Sequence, residues 1–177
     1  ISEDGQWVAY TVNPQQGDGW LYLYSVADNR SDSVACGTRP RFSPGAKYIA
    51  YQIIPKFAVT RQAKKKKLKE DKMPKNDLEI RILPGDELMK VSRVKSFETP
   101  EKNSQWMAYL LEKEQEEKKG DKAASDTTKQ TAGTASKKPK TAEPKGTGFV
   151  ILNPLTKKEY SFNNVTEYVV AKDGKTV

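Results

Sequence analysis

The stretch FSPGAKYIAY (Phe42–Tyr51) occurs in related form at two other places in the chain. ISEDGQWVAY covers residues 1–10, and EKNSQWMAY covers residues 101–109. Aligned on their Ala-Tyr pairs, all three copies have a polar residue, an aromatic residue, an aliphatic residue, alanine and tyrosine in that order. An incomplete fourth copy, AKDGKTV, occupies residues 171–177. Self-similarity of this kind predicts a repeat architecture.

Each complete copy predicts a β-strand that is covered on both faces. In the first copy Trp7 and Ala9 share one face of the strand, whereas Val8 and Tyr10 share the other. Strands that are apolar on both faces are usual in parallel sheets with flanking helices, but the chain lacks convincing amphipathic helices. The pattern therefore favours small antiparallel sheets stacked on one another, which is the arrangement of a β-propeller.

The segments around the copies contain further strand candidates in a regular order. After each copy come a second and a third strand, and a short strand precedes the next turn. The candidates are 20–26, 32–37, 39–43, 77–84, 88–97 (with 95–97 preceding the third turn), 148–154, 158–164 and 167–171. This gives four strands per unit, as in a propeller blade, and the 41-residue step from Ala9 to Ala50 fits the ~40–45 residues of such repeats. The alternative is an unrepeated β-sandwich with chance similarity in three strands.

The turns before the strands support the repeat. Gly5 and Gly174 follow aspartate in tight-turn signals and are expected to adopt positive φ. In the second copy the glycine is shifted to Gly45, and in the third Asn103 replaces it, a residue that tolerates the left-handed region.

We therefore predict an all-β fold, a partial β-propeller of about three four-stranded antiparallel blades, forming a fragment of one domain over residues 1–177. The blade pieces are expected at about 1–37, 38–97, 98–164 and 165–177. Residues 56–76 and 113–147 are insertions between the second and third strands of their blades, the first basic and the second of low complexity.

The first insertion is strongly basic, since residues 56–75 carry a formal charge of +7. Its stretch KKKKLKEDK (64–72) contains good helix formers, and Pro74 ends any helix. The apolar side chains that could anchor it are Phe57, Val59, Leu68 and Met73. The weak candidates for contact with an anionic partner are Arg61, Lys64, Lys65, Lys66 and Lys67. Because aromatic residues and arginines are scarce, a solvated, poorly ordered loop is favoured over a binding patch.

The second insertion, residues 113–147, contains no large aliphatic residue, aromatic residue or cysteine. Such a segment cannot bury enough apolar surface to offset its ordering entropy, so we expect it to remain outside the folded core.

Composition excludes several classes of function. The net charge of +8 comes from the two insertions, and the remainder of the chain sums to −2, which argues against a nucleic-acid groove. The chain has no histidine, which excludes a Ser-His-Asp or Cys-His triad and histidine metal ligands, and it has no Gly-x-Ser-x-Gly elbow. No apolar run approaches the ~20 residues that a membrane helix needs. We therefore predict no catalytic residue, no cofactor or metal site, and neither nucleic acid nor membrane as partner.

Four smaller features are interpreted as structural. Cys36 cannot form an internal disulfide and has no nearby activating group, so we expect an inert thiol. DNRSDS (28–33) lacks the glycine and closing glutamate of a calcium loop and predicts a polar turn. The GKT at 174–176 belongs to a hairpin. Trp7, Tyr48 and Trp106 hold equivalent positions, which favours core packing.

The strand patterns at Ile1 and Val177 predict a piece of a longer chain from which any signal peptide has been removed.

RPRFSPGAKYIAY (39–51) together with ISEDGQWVAY (1–10) resembles the WD40-like repeat of TolB-type and prolyl-oligopeptidase propellers, in which Ser-Pro-Asp-Gly-Lys precedes a short strand ending in Ala-Tyr. The chain departs from that pattern at Gly45, where the aspartate is missing, and at residues 101–104. With RQAKKKKLKEDKMPKNDLEI (61–80), it is similar to the amino-terminal propellers of S9-family serine peptidases from Bacteroidetes.

This resemblance implies a supporting role in a periplasmic or secreted peptidase. The propeller would gate or position peptide substrate for a downstream α/β-hydrolase domain, and no catalytic residue of the family maps onto this chain. Two alternatives remain open. One is a TolB-like protein-interaction propeller without an enzyme, and the other is a basic binding module acting through Lys64–Lys67. Because an incomplete ring exposes blade faces, marginal stability or self-association of the chain is also expected.

Overall fold

The structure is a computed structural model that describes residues 1–85, 87–113 and 146–175. Strands dominate, and each complete sequence copy leads into one of them: Trp7–Val12, Tyr48–Ile53 and Met107–Leu111. The strands are β1 (Trp7–Val12), β2 (Trp20–Ser25), β3 (Arg30–Ala35), β4 (Gly37–Phe42), β5 (Tyr48–Ile53), β6 (Asp77–Ile82), β7 (Leu88–Val91), β8 (Val94–Glu98), β9 (Met107–Leu111), β10 (Thr147–Asn153) and β11 (Lys158–Val165). The helices are α1 (Phe57–Lys65) and two short 3-10 helices, Pro44–Ala46 and Glu70–Lys72.

The strands form three antiparallel meander sheets that follow one another along the chain. Sheet 1 has the order β1-β2-β3, sheet 2 the order β4-β5-β6-β7, and sheet 3 the order β8-β9-β10-β11. Each pairs only sequential neighbours, as expected for blades joined by short turns. The fold is therefore a partial β-propeller, as predicted, although sheet 1 has three strands instead of four.

The apolar core consists of two layers between the sheets and a third cluster on the outer face of sheet 3, in which Ala108, Leu110 and Phe149 are buried. Leu21 and Leu23 of sheet 1 pack with Ile49 and Tyr51 of sheet 2. The opposite face of sheet 2 and one face of sheet 3 form the second layer, whose buried members are Tyr48, Ala50, Leu78, Ile80, Val94, Met107, Tyr109, Val150 and Leu152. The approach of sheet 1 to sheet 2 is close, because a Cβ at Gly37 would lie 2.6 Å from Leu21 Cβ. Alternate residues of β5 thus serve different layers, which explains why that strand is apolar throughout.

The prediction of strands covered on both faces is confirmed for β5 and β9 and is wrong for β1. Residues 48–52 of β5 and 107–110 of β9 are all buried. In β1 only the face of Trp7 and Ala9 packs on sheet 2. The other face leaves Tyr10 and Val12 about half exposed, at 48% and 51%. Sheet 1 is the first in the stack, so no sheet of the described chain covers that face.

Two strand assignments need correction. Residues 88–97, expected as a third strand with 95–97 as a short strand before the next turn, form β7 and β8, which belong to different sheets and are separated at residues 92–93. Arg93 between them adopts a φ of 61°, and its N–H donates to Asp77 Oδ1 at 3.0 Å. The sheet boundary therefore lies between Val91 and Val94, and the expected boundary at 97/98 falls inside β8. Residues 167–171 form no ladder with another strand in the described part of the chain.

The basic insertion contains ordered structure, contrary to the expectation of a poorly ordered loop. Helix α1 begins upstream of the predicted helix-forming stretch 64–72 and shares only Lys64 and Lys65 with it. Asp18 Oδ1 accepts the N–H of Phe57 at 2.6 Å and so satisfies an orphan donor of its first turn. At the other end Lys67 has a φ of 51°, and Leu68 N–H donates to Ala63 O, so a Schellman-type cap ends the helix.

Four apolar side chains were expected to anchor this insertion on the core. For three of them, Phe57, Val59 and Leu68, the prediction is wrong, because they are 41%, 48% and 40% exposed. Ala63 is the buried residue of α1 instead. The second insertion, 113–147, lies outside the described residues except at its ends, and Thr147 already belongs to β10.

The turn predictions are mostly confirmed. Gly5, Gly45 and Gly174 adopt φ values of 69°, 64° and 65°. Asn103 is not among the residues with positive φ; its side-chain Oδ1 instead accepts the N–H of Gln105 at 2.8 Å. The polar turn expected at 28–33 is confirmed only for Asp28 and Asn29, which join β2 to β3, because residues 30–33 belong to β3.

An ion pair between sheets 1 and 2 is expected to stabilise their packing. Arg81 Nη1 lies 2.9 Å from Asp32 Oδ2, and the two side chains are 18% and 29% exposed. In a double-mutant cycle with Asp32→Asn and Arg81→Met, we expect a coupling of about 1 kcal/mol in the free energy of unfolding. The control is the exposed pair Lys157–Glu87, where Lys157→Met and Glu87→Gln should couple by less than about 0.5 kcal/mol. Equal coupling in both pairs would contradict a role for partial burial.

Candidate functional site

A cleft with a volume of about 970 Å³ lies beside the first strands of sheets 2 and 3. Its walls are residues 39–44 on one side and 96–101 on the other, and Val170 and Lys172 also contribute. Segment 168–172 is attached to the β8 side, because Val170 N–H donates to Glu98 Oε2 at 3.4 Å and Lys102 N–H to Lys172 O at 2.9 Å. The first strands of successive blades thus face one space, which corresponds to the central channel of a propeller. We call it the channel cleft.

The wall formed by β4 contains a β-bulge. Thr38 pairs with Gln52 and Arg41 pairs with Ala50, so Arg39 and Pro40 together oppose Tyr51. Arg39 adopts a φ of 52°, which is uncommon for a residue other than glycine. Pro40 lacks an N–H and is tolerated because β4 is an edge strand and the ladder is interrupted here. Bulges of this kind redirect side chains, and this one lies at the cleft.

Two arginines of this wall are exposed and lack a side-chain partner. The side chains of Arg39 and Arg41 form no hydrogen bond or ion pair within residues 1–85, 87–113 and 146–175. The acidic residues of the same cleft are engaged. Glu3 Oε2 accepts the N–H of Gly45 at 3.2 Å, Glu98 accepts from Val170, and Glu101 lies 3.3 Å from Lys172 Nζ.

A buried amide completes this wall. Gln52 lines the channel cleft but is only 1% exposed. Its Nε2 has no hydrogen-bond partner in the described structure. A buried donor without a partner costs about 1–3 kcal/mol, so its retention calls for an explanation. The β4–β5 wall therefore presents three hydrogen-bond donor groups and no free carboxylate.

The residues predicted as partner contacts lie elsewhere. Arg61 and Lys64–Lys67 are exposed on α1 and at its end, and none of them lines the channel cleft. The helix brings Arg61 and Lys65 to adjacent turns, because residues four apart share a face. Contact between these side chains and an anionic partner therefore stays a prediction.

The three equivalent aromatic residues have different surroundings. Trp7 and Tyr48 pack into the two core layers, as expected. Trp106 lies 5.7 Å from the ring of Tyr160 and lines a second cavity of about 420 Å³ on the outer face of sheet 3. Each of these three aromatic residues faces the next sheet along the chain. Sheet 3 is the last sheet in the described part of the chain, so Trp106 has no further sheet to pack against.

Cys36 is buried at 4% exposure between β3 and β4. Burial raises the pKa of its thiol, and the nearby Asp18 carboxylate raises it further. Both effects disfavour the thiolate, which is the reactive form.

Within the described ranges, no three His, Cys, Asp or Glu side chains are grouped so as to hold a metal ion. No helix in those ranges has the length and apolarity required to cross a lipid bilayer.

Sequence reasoning did not identify Arg39, Arg41 or Gln52. The available signal was the RPR tripeptide at residues 39–41 directly before a repeat turn, where two cations flank a proline in a strand. Gln52 is the polar residue that follows KYIAY and interrupts an otherwise apolar run.

Comparison with known protein families and with curated proteins gives no match. Several solved structures are similar. The β-propeller domain of the Trilobed protease from Pyrococcus furiosus has 16% identity and a TM-score of 0.45, with 89% of this chain and 40% of that chain covered. The acylaminoacyl peptidase of Pyrococcus horikoshii has 14% identity and a TM-score of 0.45, with 90% and 23% covered. An acylaminoacyl peptidase in complex with Z-Gly-Gly-Phe-chloromethyl ketone has 15% identity and a TM-score of 0.43, with 89% and 24% covered. The chain thus spans less than half the length of each of these proteins.

Proposed function

We propose that this chain is the non-catalytic propeller part of a prolyl-oligopeptidase-like (S9) serine peptidase, whose α/β-hydrolase domain follows it in the parent chain. The observation that carries the proposal is the position of the repeats relative to the channel cleft. The turn of FSPGAKYIAY, the stretch that resembles these propellers, forms part of the cleft wall through Phe42, Ser43 and Pro44. The stretch that resembles the family therefore contributes directly to the wall of the cleft.

In this proposal the propeller gates or positions peptide substrate. Its sheets share continuous apolar layers, so the cleft walls are held by the core and not by loops alone. The volume of about 970 Å³ is at the upper end of the range of ligand pockets. We propose that an extended peptide enters this opening and that a folded domain does not. The chain itself supplies no catalytic group in this scheme.

The coding sequence beyond Val177 tests this proposal. A Gly-x-Ser-x-Gly elbow followed by aspartate and histidine would support the peptidase, because that order is typical of α/β-hydrolases. A stop codon after a few more blades would overturn it and favour a TolB-like propeller that docks a partner protein. Upstream of Ile1, a signal peptide would support the proposed periplasmic or secreted location, and its absence would contradict that location.

Self-association is proposed as a property of the chain in isolation. Both outer faces of the stack carry exposed apolar side chains, among them Tyr10, Val12 and Trp20 on sheet 1 and Tyr160 and Phe162 on sheet 3, each between 43% and 51% exposed. On sheet 1 the rings of Tyr10 and Tyr22 stack at 5.2 Å. Contiguous exposed apolar surface of this kind marks interaction sites.

We expect the mass of the chain in light scattering to rise with concentration. The double substitution Tyr160→Lys with Phe162→Lys should weaken association at least about tenfold, since it places two charges in the proposed contact. Ser161→Lys with Asn163→Lys is the matched control, because it adds the same charge to alternate, exposed positions of β11. A monodisperse monomer at all concentrations, or equal weakening by the control, would contradict the proposal.

A further inference from the structure

We propose that the β4–β5 wall of the channel cleft binds a carboxylate of a peptide through Arg39, Arg41 and Gln52. The inference rests on the proposed function for the peptide nature of the ligand. It goes beyond that function by assigning a chemical group and the residues that hold it. The cleft thereby becomes a site of recognition in addition to an opening.

The first argument is the imbalance between donors and acceptors. Arg39 and Arg41 are exposed and unpartnered in the described structure, and Gln52 Nε2 is a buried donor without an acceptor. A buried unpaired donor persists at a cost in stability, so a ligand acceptor explains its retention. Guanidinium groups bind carboxylates through two parallel hydrogen bonds. All three groups are donors that match the same kind of ligand atom, an oxygen acceptor.

The second argument is that the strand register brings these groups together. Arg41 pairs with Ala50, and Ala50 and Gln52 lie on the same face of β5. Arg41 and Gln52 are therefore diagonal neighbours, whose separation of about 7–8 Å is within reach of long side chains. Arg39 lies in the bulge between them, in a left-handed conformation that a regular strand would not provide. Strained residues of this kind are common at ligand sites.

The third argument concerns the size of the anion. The charged lining residues of the cleft are Glu3, Arg39, Arg41, Glu98, Glu101 and Lys172, three of each sign. A polyanion such as nucleic acid would meet the three carboxylates as well as the cations. A single carboxylate needs only the β4–β5 wall. The charge distribution thus favours one small, planar anionic group over an extended one.

The test uses the 177-residue chain and N-acetylated penta-alanine with either a free carboxyl end or an amidated end. Binding is followed by NMR titration of the Gln52 side-chain amide and the arginine Nε–H groups. The free peptide should bind at least about tenfold more tightly than the amidated one, as expected for one charge-assisted interaction. A third peptide, amidated and with a central glutamate, identifies the source of the carboxylate. If it regains the affinity, the site accepts an acidic side chain; if it does not, the site requires a free carboxyl end.

Three variants locate the site, with Arg61→Gln as the matched control because Arg61 lies outside the cleft. Arg41→Gln and Arg39→Asn should each weaken binding of the free peptide about tenfold, and asparagine suits the positive φ at residue 39. Gln52→Met should weaken binding while raising the melting temperature, because it removes an unpaired buried donor. A residue with a purely structural role would not give these opposite effects.

Equal affinity of the three peptides, or no binding of any, would overturn the inference even if a variant failed to fold. Loss of binding in Arg61→Gln equal to that in Arg41→Gln would overturn it as well. None of these results bears on the coding sequence beyond Val177, so failure of the carboxylate site and failure of the peptidase proposal are distinguishable.

Discussion

Replacing Leu78 by alanine is expected to lower the free energy of unfolding by about 2–5 kcal/mol. Leu78 is fully buried on β6 and belongs to the layer between sheets 2 and 3. Its neighbours there are fixed in β-ladders, so the cavity left by the side chain cannot collapse easily. The loss includes both the transfer of the missing atoms and the cavity term. The measurement is denaturant unfolding of the parent and variant chains with a common m-value.

The matched control is Leu155→Ala, the same chemical change at a residue that is 45% exposed in the turn between β10 and β11. It should change the free energy of unfolding by less than about 0.5 kcal/mol. A similar loss in both variants would show that the layer between sheets 2 and 3 does not limit stability. Separate unfolding transitions for the two halves of the chain would also contradict a shared layer.

The strands of the core follow from local sequence. The Ala-Tyr phrases predicted β5 and β9 because an uninterrupted apolar run needs cover on both faces, and both strands have it. The same phrase could not show that β1 lies at the end of the stack. Burial of the face that carries Val8 and Tyr10 depends on a neighbouring sheet, which is a property of the assembly and not of the five residues.

The position of the break within residues 88–97 escaped prediction for a similar reason. Ser92 and Arg93 carry no strong turn signal, and the break is fixed by contacts distant in sequence. Val94 N–H donates to Asn76 O, and Glu112 N–H donates to Arg93 O. The start of helix α1 also depends on a contact distant in sequence. Composition predicted a helix at 64–72, but the helix begins at Phe57, whose N–H donates to Asp18, 39 residues away.

The channel cleft could not be assigned from the sequence. Arg39 and Arg41 become candidates for binding only because a bulge in β4 places them at the cleft. Gln52 becomes a candidate only because it is buried without a hydrogen-bond partner in the described structure. Both properties depend on tertiary contacts. The lysine cluster attracted attention in the sequence because its charge is contiguous, but it lies on an exposed helix end away from the cleft.

Raising the pH above about 10 is expected to unfold this protein, because four of its tyrosines resist ionisation in the folded state. Burial raises the pKa of Tyr109 and of Tyr168 to about 12 in each case. Burial also raises the pKa of Tyr48 and of Tyr51 well above the ordinary value of 10.0. Tyrosine is neutral when protonated, so the folded state holds these protons more tightly than the unfolded state does. Stability is therefore fully present below about pH 10 and falls as the pH rises toward the folded pKa values.

The measurement is the free energy of unfolding from about pH 8 to about pH 11, with tyrosinate absorbance recorded alongside. Up to about pH 11, a tyrosine whose pKa is about 12 in the folded state and about 10 in the unfolded state lowers the free energy of unfolding by about 1.4 kcal/mol, and several such tyrosines together remove a large part of the stability of an ordinary domain. Tyr48→Phe is the informative variant, because the Tyr48 hydroxyl is buried without a hydrogen-bond partner in the described structure. The variant should be at least as stable as the parent near neutrality and lose stability less steeply above about pH 10. Equal slopes would mean that Tyr48 ionises as easily in the folded chain as in the unfolded one, which its burial between sheets 2 and 3 does not permit.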